Sequence, residues 1–258
     1  MRDPLPTVIS NNQTLTTCYH TLKKHDIVCG RIRLKPGEEH VLTDLLERGI
    51  HLIPSATSQL ASRSKAFQAK IFIDFMVPDS QPIYDQHELL LTASSYRQKK
   101  YTRVVLKRDR KNGGLGIHVF NDIEDLYNSA TLGICLFPFV VQPFQRNTRD
   151  IRVIILDDYT EAYERINAHN FRNNLHCGGS STPYTLSPQQ LEFCRKIMHR
   201  GAFPYAHLDL MLTEEGNCYL TEINLRGGLR GAKISGKEYL EKLDRIHESL
   251  LQQRGISS

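Results

Sequence analysis

Residues 206–228 read AHLDLMLTEEGNCYLTEINLRGG, and this stretch decides the fold. Two apolar runs flank Glu215-Gly216, a pair suited to a tight turn, so the stretch reads as a β-hairpin. With the turn on that pair, Asp209 lies opposite Glu222, and Asn224 falls on the same face because strand side chains alternate. Ala206, Leu208, Leu210 and Leu212, with Tyr219 and Ile223, are expected on the other face as core. Carboxylates directly opposite each other are destabilising unless positive charge lies between them. Asp209, Glu222 and Asn224 together offer hard oxygen ligands for a Mg²⁺ ion that also holds phosphates, with Mn²⁺ as a substitute. The competing reading is a solvated face with scattered acids. The apolar opposite face ranks the metal reading above it, although a one-residue slip in register would undo the argument.

Working outward, the same antiparallel grammar governs the chain after Lys100. Thr102–Arg108 pairs with Ile117–Phe120 across Asn112-Gly113-Gly114, and Ile151–Leu156 with Glu161–Ile166 across Asp157-Asp158. Helices are expected near Ile123–Leu132, Pro188–Arg200 and Lys237–Gln253. The start of the chain reads differently. Short strands at Thr7–Ser10, Asp26–Gly30 and Ile50–Pro54 alternate with helical patterns near Leu15–Lys24 and Glu38–Arg48, which is a small α/β layer. Further helices are expected over about Thr57–Phe75 and Glu88–Lys100. The chain is therefore α/β at the start and α+β thereafter.

Two other stretches carry chemistry. In VVLKRDRKNGGLGI (104–117), Lys107 ends an apolar strand and a glycine-rich turn follows. Glycines let backbone N–H groups approach phosphate oxygens, and a strand-borne lysine supplies a placed cation. The spacing matches neither a Walker loop nor a dinucleotide-binding fingerprint. Alone, it is more often a plain hairpin turn. In RDIRVIILDDYTEAYERINAHNFRNNLHCGG (149–179), Asp150, Arg152 and Arg165 stand at the hairpin ends, before a polar segment holding Arg172, Asn173, Asn174 and His176. Such a stretch is often a capped loop. Beside a phosphate site it can clamp a transferred phosphoryl group, and Arg165, Arg172 and Asn174 are the candidates for that catalytic task.

Composition narrows the classes. The chain has 258 residues, 40% hydrophobic and 24% charged, with a formal net charge of +5. No apolar run approaches the roughly 18 residues that span a bilayer. The N-terminus lacks the apolar core of a signal peptide, so a cytoplasmic protein without a membrane partner is expected. Six cysteines with no CxxC pair read as reduced thiols. Eight Lys or Arg and one Asp lie between Arg97 and Lys111. That run is commonly a solvated surface, and no nucleic-acid-binding signature accompanies it.

Taken in order, Lys65, Lys107, the 112–116 glycine loop, VQPF (141–144), DIR (150–152), FRNNLHCGG (171–179), LDL (208–210), EIN (222–224) and GGLRG (227–231) resemble the ATP-grasp ligases of the RimK type. The likeness covers about residues 60–240. It implies a nucleotide held between two antiparallel-sheet subdomains: a short preceding α/β segment over 1–62, a small subdomain with a glycine-rich lid over 63–140, and a large subdomain with the metal site over 141–258. It further implies that Lys65, Lys107 and the loop glycines Gly113, Gly114 and Gly116 meet phosphates. Gln142, Pro143 and Phe144 would form the hinge against adenine, Asp150 would reach the ribose, and Arg172, Asn173 and Asn174 the phosphate end. The implied reaction joins a small-molecule or peptide carboxylate to an amine, such as an amino acid, through an acyl-phosphate. ATP and Mg²⁺ would be consumed or required, and the assembly can be a homo-oligomer. A small-molecule kinase or a non-catalytic ATP-binding regulatory module are the alternatives on the same fold.

Two departures stand out. The hinge carries proline where the group has an acidic residue, which removes one N–H. The corner after Asn224 reads Leu-Arg-Gly-Gly in place of a rigid Pro-Gly turn, and Arg226 and Arg230 there are candidates to hold a substrate carboxylate.

Overall fold

The computed structural model describes residues 6–111, 115–167 and 179–255. The N-terminal layer is a parallel three-stranded sheet, β1 (Val8–Ile9), β2 (Ile27–Cys29) and β3 (His51–Ile53), interleaved with helices α1 (Asn12–Cys18) and α2 (His40–Glu47). Its core gathers Ile9, Val28, Leu42, Leu45 and Leu52, the apolar positions of the expected βαβ pattern. The single helix expected over 57–75 is instead α3 (Ala56–Ala61), α4 (Lys65–Ile71) and a 3₁₀ turn, Ile73–Phe75. Two caps, one local and one distant, mark the break. Ser64 accepts from Phe67 N and caps α4, and Asp109 Oδ1 accepts from Ala66 N at 3.1 Å.

The middle of the chain builds a four-stranded sheet from β4 (Gln81–Ile83), α5 (Gln86–Gln98), β5 (Val104–Arg108), β6 (Ile117–Phe120), α6 (Ile123–Thr131) and β7 (Phe139–Pro143), with strand order β4-β7-β5-β6. The expected division at 140/141 falls inside β7, whose residues pair with β4 and β5. Helices α5 and α6 cover one face through Leu89, Ala93, Tyr96 and Leu126.

A five-stranded sheet follows, from β8 (Arg149–Leu156), β9 (Tyr159–Ile166), β10 (Ser180–Tyr184), α7 (Pro188–Arg200), β11 (Tyr205–Leu212), β12 (Cys218–Asn224) and α8 (Gly236–Gln252), ordered β10-β9-β8-β11-β12. Strands β4 and β10 each contain a proline, which suits their edge positions. That proline also hides them from a pattern search. The strands of all three expected hairpins pair with one another.

The 206–228 hairpin corrects one detail. Thr213 N donates to Asn217 O and Gly216 N to Thr213 O, and Gly216 has φ +85°, so the loop is three residues, 214–216. A bulge between Asp209 and Leu210 then restores the expected partnership of Asp209 with Glu222. Because of the shift, Tyr219, expected in the core, pairs with Met211, and Leu220 joins the core instead, opposite Leu210. Among the described residues Cys18, Cys29, Cys135, Cys194 and Cys218 are free thiols, and no helix is long and apolar enough to cross a membrane.

Candidate active site

Cross-strand register assembles the site. Glu222 on β12 faces Asp209 on β11, which faces Arg152 on β8; one step along β8, Asp150 faces Arg165 on β9. The positive charge that the opposed carboxylates require comes from the protein. Arg152 grips Asp209 with both Nε and Nη2, the latter at 3.0 Å. Arg165 Nη2 donates to Asp150 Oδ1 at 2.6 Å and lies 3.1 Å from Asp209 Oδ2. Lys65 Nζ, from α4, donates to Glu222 Oε1 at 3.2 Å and to Lys111 O at 2.8 Å. Lys107 Nζ, from β5 of the other sheet, lies 3.5 Å from Thr221 O. Four cations and three carboxylates therefore meet where the two antiparallel sheets face each other.

Electrostatics follow from burial. Lys107 is buried, and desolvation pushes its ammonium down to about 8; Glu222 opposes the fall and Lys65 adds to it. Burial alone would raise Asp209, but Arg152 and Arg165 outweigh it and hold that carboxyl low. Burial raises Asp150, and Arg165 offsets only part of the rise. His207, also on β11, is pushed down to about 3, first by burial and then by Arg152, so it is a neutral ring. Its Nε2 pairs with Tyr239 Oη of α8 at 3.0 Å.

Of the residues expected at the site, Lys65, Lys107, Asp150, Arg165, Asp209, Glu222 and Asn224 come together. Gly116 is buried at the loop stem, where its carbonyl accepts from Arg108 N at 2.7 Å; a Cβ there would meet Lys111 Cβ at 2.5 Å. Gln142 is buried on β7 and pairs with Val105, and Pro143 with Val104. The Phe144 N–H, expected at the hinge, donates to Arg103 O at 3.0 Å, and the Arg103 guanidinium lies 4.2 Å from the Phe144 ring centre. Arg226 and Arg230 are exposed, and neither forms an ion pair among the described residues. Gly113, Gly114, Arg172, Asn173 and Asn174 lie outside the described residues. Sequence reasoning missed the grip of Arg152 on Asp209, although the DIR motif placed both Asp150 and Arg152 on one strand face. It also missed Gln68, one helical turn after Lys65, whose side-chain amide hydrogen-bonds the Ile223 backbone between Glu222 and Asn224.

The donor set fits a divalent cation held jointly with a ligand. Among the described residues no three His, Cys, Asp or Glu side chains gather to hold a metal by themselves. Glu222 makes both of its contacts through Oε1, to Lys65 and to Asn224 Nδ2 at 3.1 Å. An amide flip turns the Asn224 oxygen toward the same point. Asp209 spends three of its roughly four acceptor positions on the two arginines, leaving about one. Such a set needs substrate oxygens to complete a six-coordinate shell, as Mg²⁺ commonly does with phosphates.

Comparison with known proteins supplies the family and the fold. The RimK-like ATP-grasp domain family matches residues 87–245, and the chain belongs to that family. It is 30% identical over 148 residues to glutathione synthetase of Agrobacterium fabrum, a match covering 52% of this chain and 44% of that protein. It is 31% identical over 99 residues to ribosomal protein bS6–L-glutamate ligase of Escherichia coli, covering 37% and 33%. The chain spans about half the length of the first curated relatives it matches. The structure of D-alanine–D-alanine ligase from Bacillus anthracis complexed with ATP superposes with a TM-score of 0.65 at 17% identity, over 97% of this chain and 87% of that one, which establishes the shared fold.

Proposed function

We propose that this chain is an ATP- and Mg²⁺-dependent ligase that joins a carboxylate to an amine, such as an amino acid or a peptide end. The observation that carries the reading is the meeting of Lys65 and Lys107 with the Asp209, Glu222 and Asn224 face between the two antiparallel sheets. A substrate carboxylate oxygen attacks the γ-phosphorus of ATP, the bond to the β-phosphate oxygen breaks, and ADP leaves. The amine nitrogen then attacks the acyl-phosphate carbon; the C–N bond forms, phosphate leaves with the C–O electrons, and the amine proton passes to solvent. Bound Mg²⁺, or Mn²⁺ in its place, would supply charge neutralisation on the phosphates, held by Glu222, Asn224 and Asp209. Lys65 and Lys107 would exchange their protein partners for phosphate oxygens. Arg165 holds Asp150 and Asp209 in place while offering a cation to the transferred group.

The names of the matched ligases favour an amino acid or peptide on at least one side. Exposed Arg226 and Arg230, beside glycines at the end of β12, favour an acidic one. The test is a screen of amino acids and carboxylic acids for stimulated release of both ADP and inorganic phosphate. ADP without free phosphate, and a phosphorylated product, would assign the site to a kinase instead. Nucleotide binding with no turnover in any combination would assign it to a regulatory module.

A further inference from the structure

β12 is one edge of the five-stranded sheet, and an edge strand leaves outward-facing backbone groups that need other partners. Side chains from outside the sheet meet them here. The Gln68 amide pairs with Ile223 in both directions: Nε2 donates to Ile223 O at 2.9 Å, and Ile223 N donates to Gln68 Oε1 at 3.1 Å. Two residues on, Leu225 N donates to Ser62 Oγ at 2.9 Å. Gln68 Nε2 also donates to Ala61 O at 2.6 Å. With two carbonyls facing it, that atom must be the nitrogen, so the amide has one orientation. Gln68 is 1% exposed and competes with no water.

The consequence lies in which peptide groups are held. The peptide N–H on Ile223 joins it to Glu222, and the peptide C=O of Ile223 joins it to Asn224. One buried amide thus fixes both planes that set the Cα positions of the two oxygen donors. Lys65, one turn earlier on α4, meets the Glu222 carboxylate itself. A single short helix therefore controls the backbone of this edge and its charge.

We propose that Gln68, supported by Ser62, is a positioning residue of the metal-binding edge. It stands in for one residue of a sixth strand and keeps Glu222 and Asn224 at the spacing that a nucleotide-bound divalent cation requires. The inference rests on the ligase reading above. It is tested by calorimetric titration of a non-hydrolysable ATP analogue, with Mg²⁺ and with EDTA, into wild type, Gln68→Met and Ser62→Ala. The ratio of the two affinities isolates what the metal adds. Outer partners of metal ligands typically contribute about 10- to 100-fold in affinity. Gln68→Met is expected to cut the Mg²⁺ enhancement about tenfold, and Ser62→Ala, which loses one neutral hydrogen bond, about threefold. Affinity in EDTA stays within about twofold of wild type. A purely structural role would lower both affinities together; that result, or an unchanged enhancement, overturns the inference. Should Gln68→Met not fold, Ser62→Ala decides by the same ratio. Wild-type protein whose nucleotide affinity ignores Mg²⁺ overturns the ligase reading, and this inference with it.

Discussion

Replacing Lys107 with methionine should make the ligand-free protein more stable and its nucleotide binding much weaker. Lys107 is buried, and its ammonium falls from the ordinary lysine value of 10.5 to about 8. At about 1.4 kcal/mol for each pH unit, holding the charged form inside costs about 3 kcal/mol. Methionine has a similar length and no charge, so it removes that cost while filling the space. It also loses the long 3.5 Å contact to Thr221 O, which contributes about 0.5–1 kcal/mol. The net expectation is about 2 kcal/mol of added stability at pH 7, or a melting point higher by about 4–8 °C for a chain of this size. The pH dependence has a definite sign. Because the folded pKa is the lower one, the unfolded chain binds more protons between about 8 and 10.5, and wild-type stability rises with pH across that window. The variant should lack that rise. Losing one charge-assisted bond to phosphate costs about 1.5–3 kcal/mol, so nucleotide affinity should fall about 10- to 150-fold. Thermal melts from pH 7 to 10.5, with calorimetric titration of Mg²⁺-nucleotide, measure both halves. A variant that melts lower than wild type at pH 7, or that binds nucleotide as tightly, would refute the reasoning.

The same charges set three other expectations. Glu222→Gln should abolish turnover and lower ligand-free stability by about 1–2 kcal/mol, since Lys65 loses the only carboxylate that pairs with it among the described residues; retained turnover would show that Glu222 is structural. Mg²⁺ alone should bind weakly in calorimetry, and tightly only with nucleotide, because Arg152 and Arg165 already occupy Asp209; tight binding of the free ion would mean the arginines give way. Arg226→Ala and Arg230→Ala should erase a preference for glutamate or aspartate over glutamine or asparagine, costing about 1.5–3 kcal/mol in kcat/KM for the acidic substrate; equal use of acids and amides by wild type would dispose of the idea.

Elements set by local rules were legible in the sequence. The three hairpins, the α/β layer and α7, whose bounds match Pro188–Arg200, follow from period, turn residues and caps such as the Ser187–Gln190 capping box. Elements set by tertiary context were not. Strands β4 and β10 contain prolines that a sequence reader takes as loop signals, and only their neighbours in the sheet make them strands. The break between α3 and α4 depends on Asp109, more than forty residues away in sequence, reaching back to cap the second helix.

Which residues the candidate site brings together was legible in the same uneven way, and the hairpin shows why. A two-residue turn on Glu215-Gly216 gives the right partner for Asp209 only because a longer loop and a bulge displace the register in opposite senses. The bulge is not free to move: the face that carries Asp209 and Glu222 must turn toward the arginines, while Leu208, Leu210, Leu220 and Ile223 stay in the core. Thr221, the extra residue, closes the irregularity by donating from Oγ1 to Asp209 O at 3.0 Å. Alternation along a strand can tell which residues share a face. It cannot tell that two arginines from the neighbouring hairpin will occupy one of the carboxylates, because that depends on the order of strands in the sheet. The order β9-β8-β11-β12 places Arg165, Asp150, Arg152, Asp209 and Glu222 within reach of one another, so Asp209 is already paired with arginine, and on the proposed reading a cation there needs nucleotide oxygens to complete its shell.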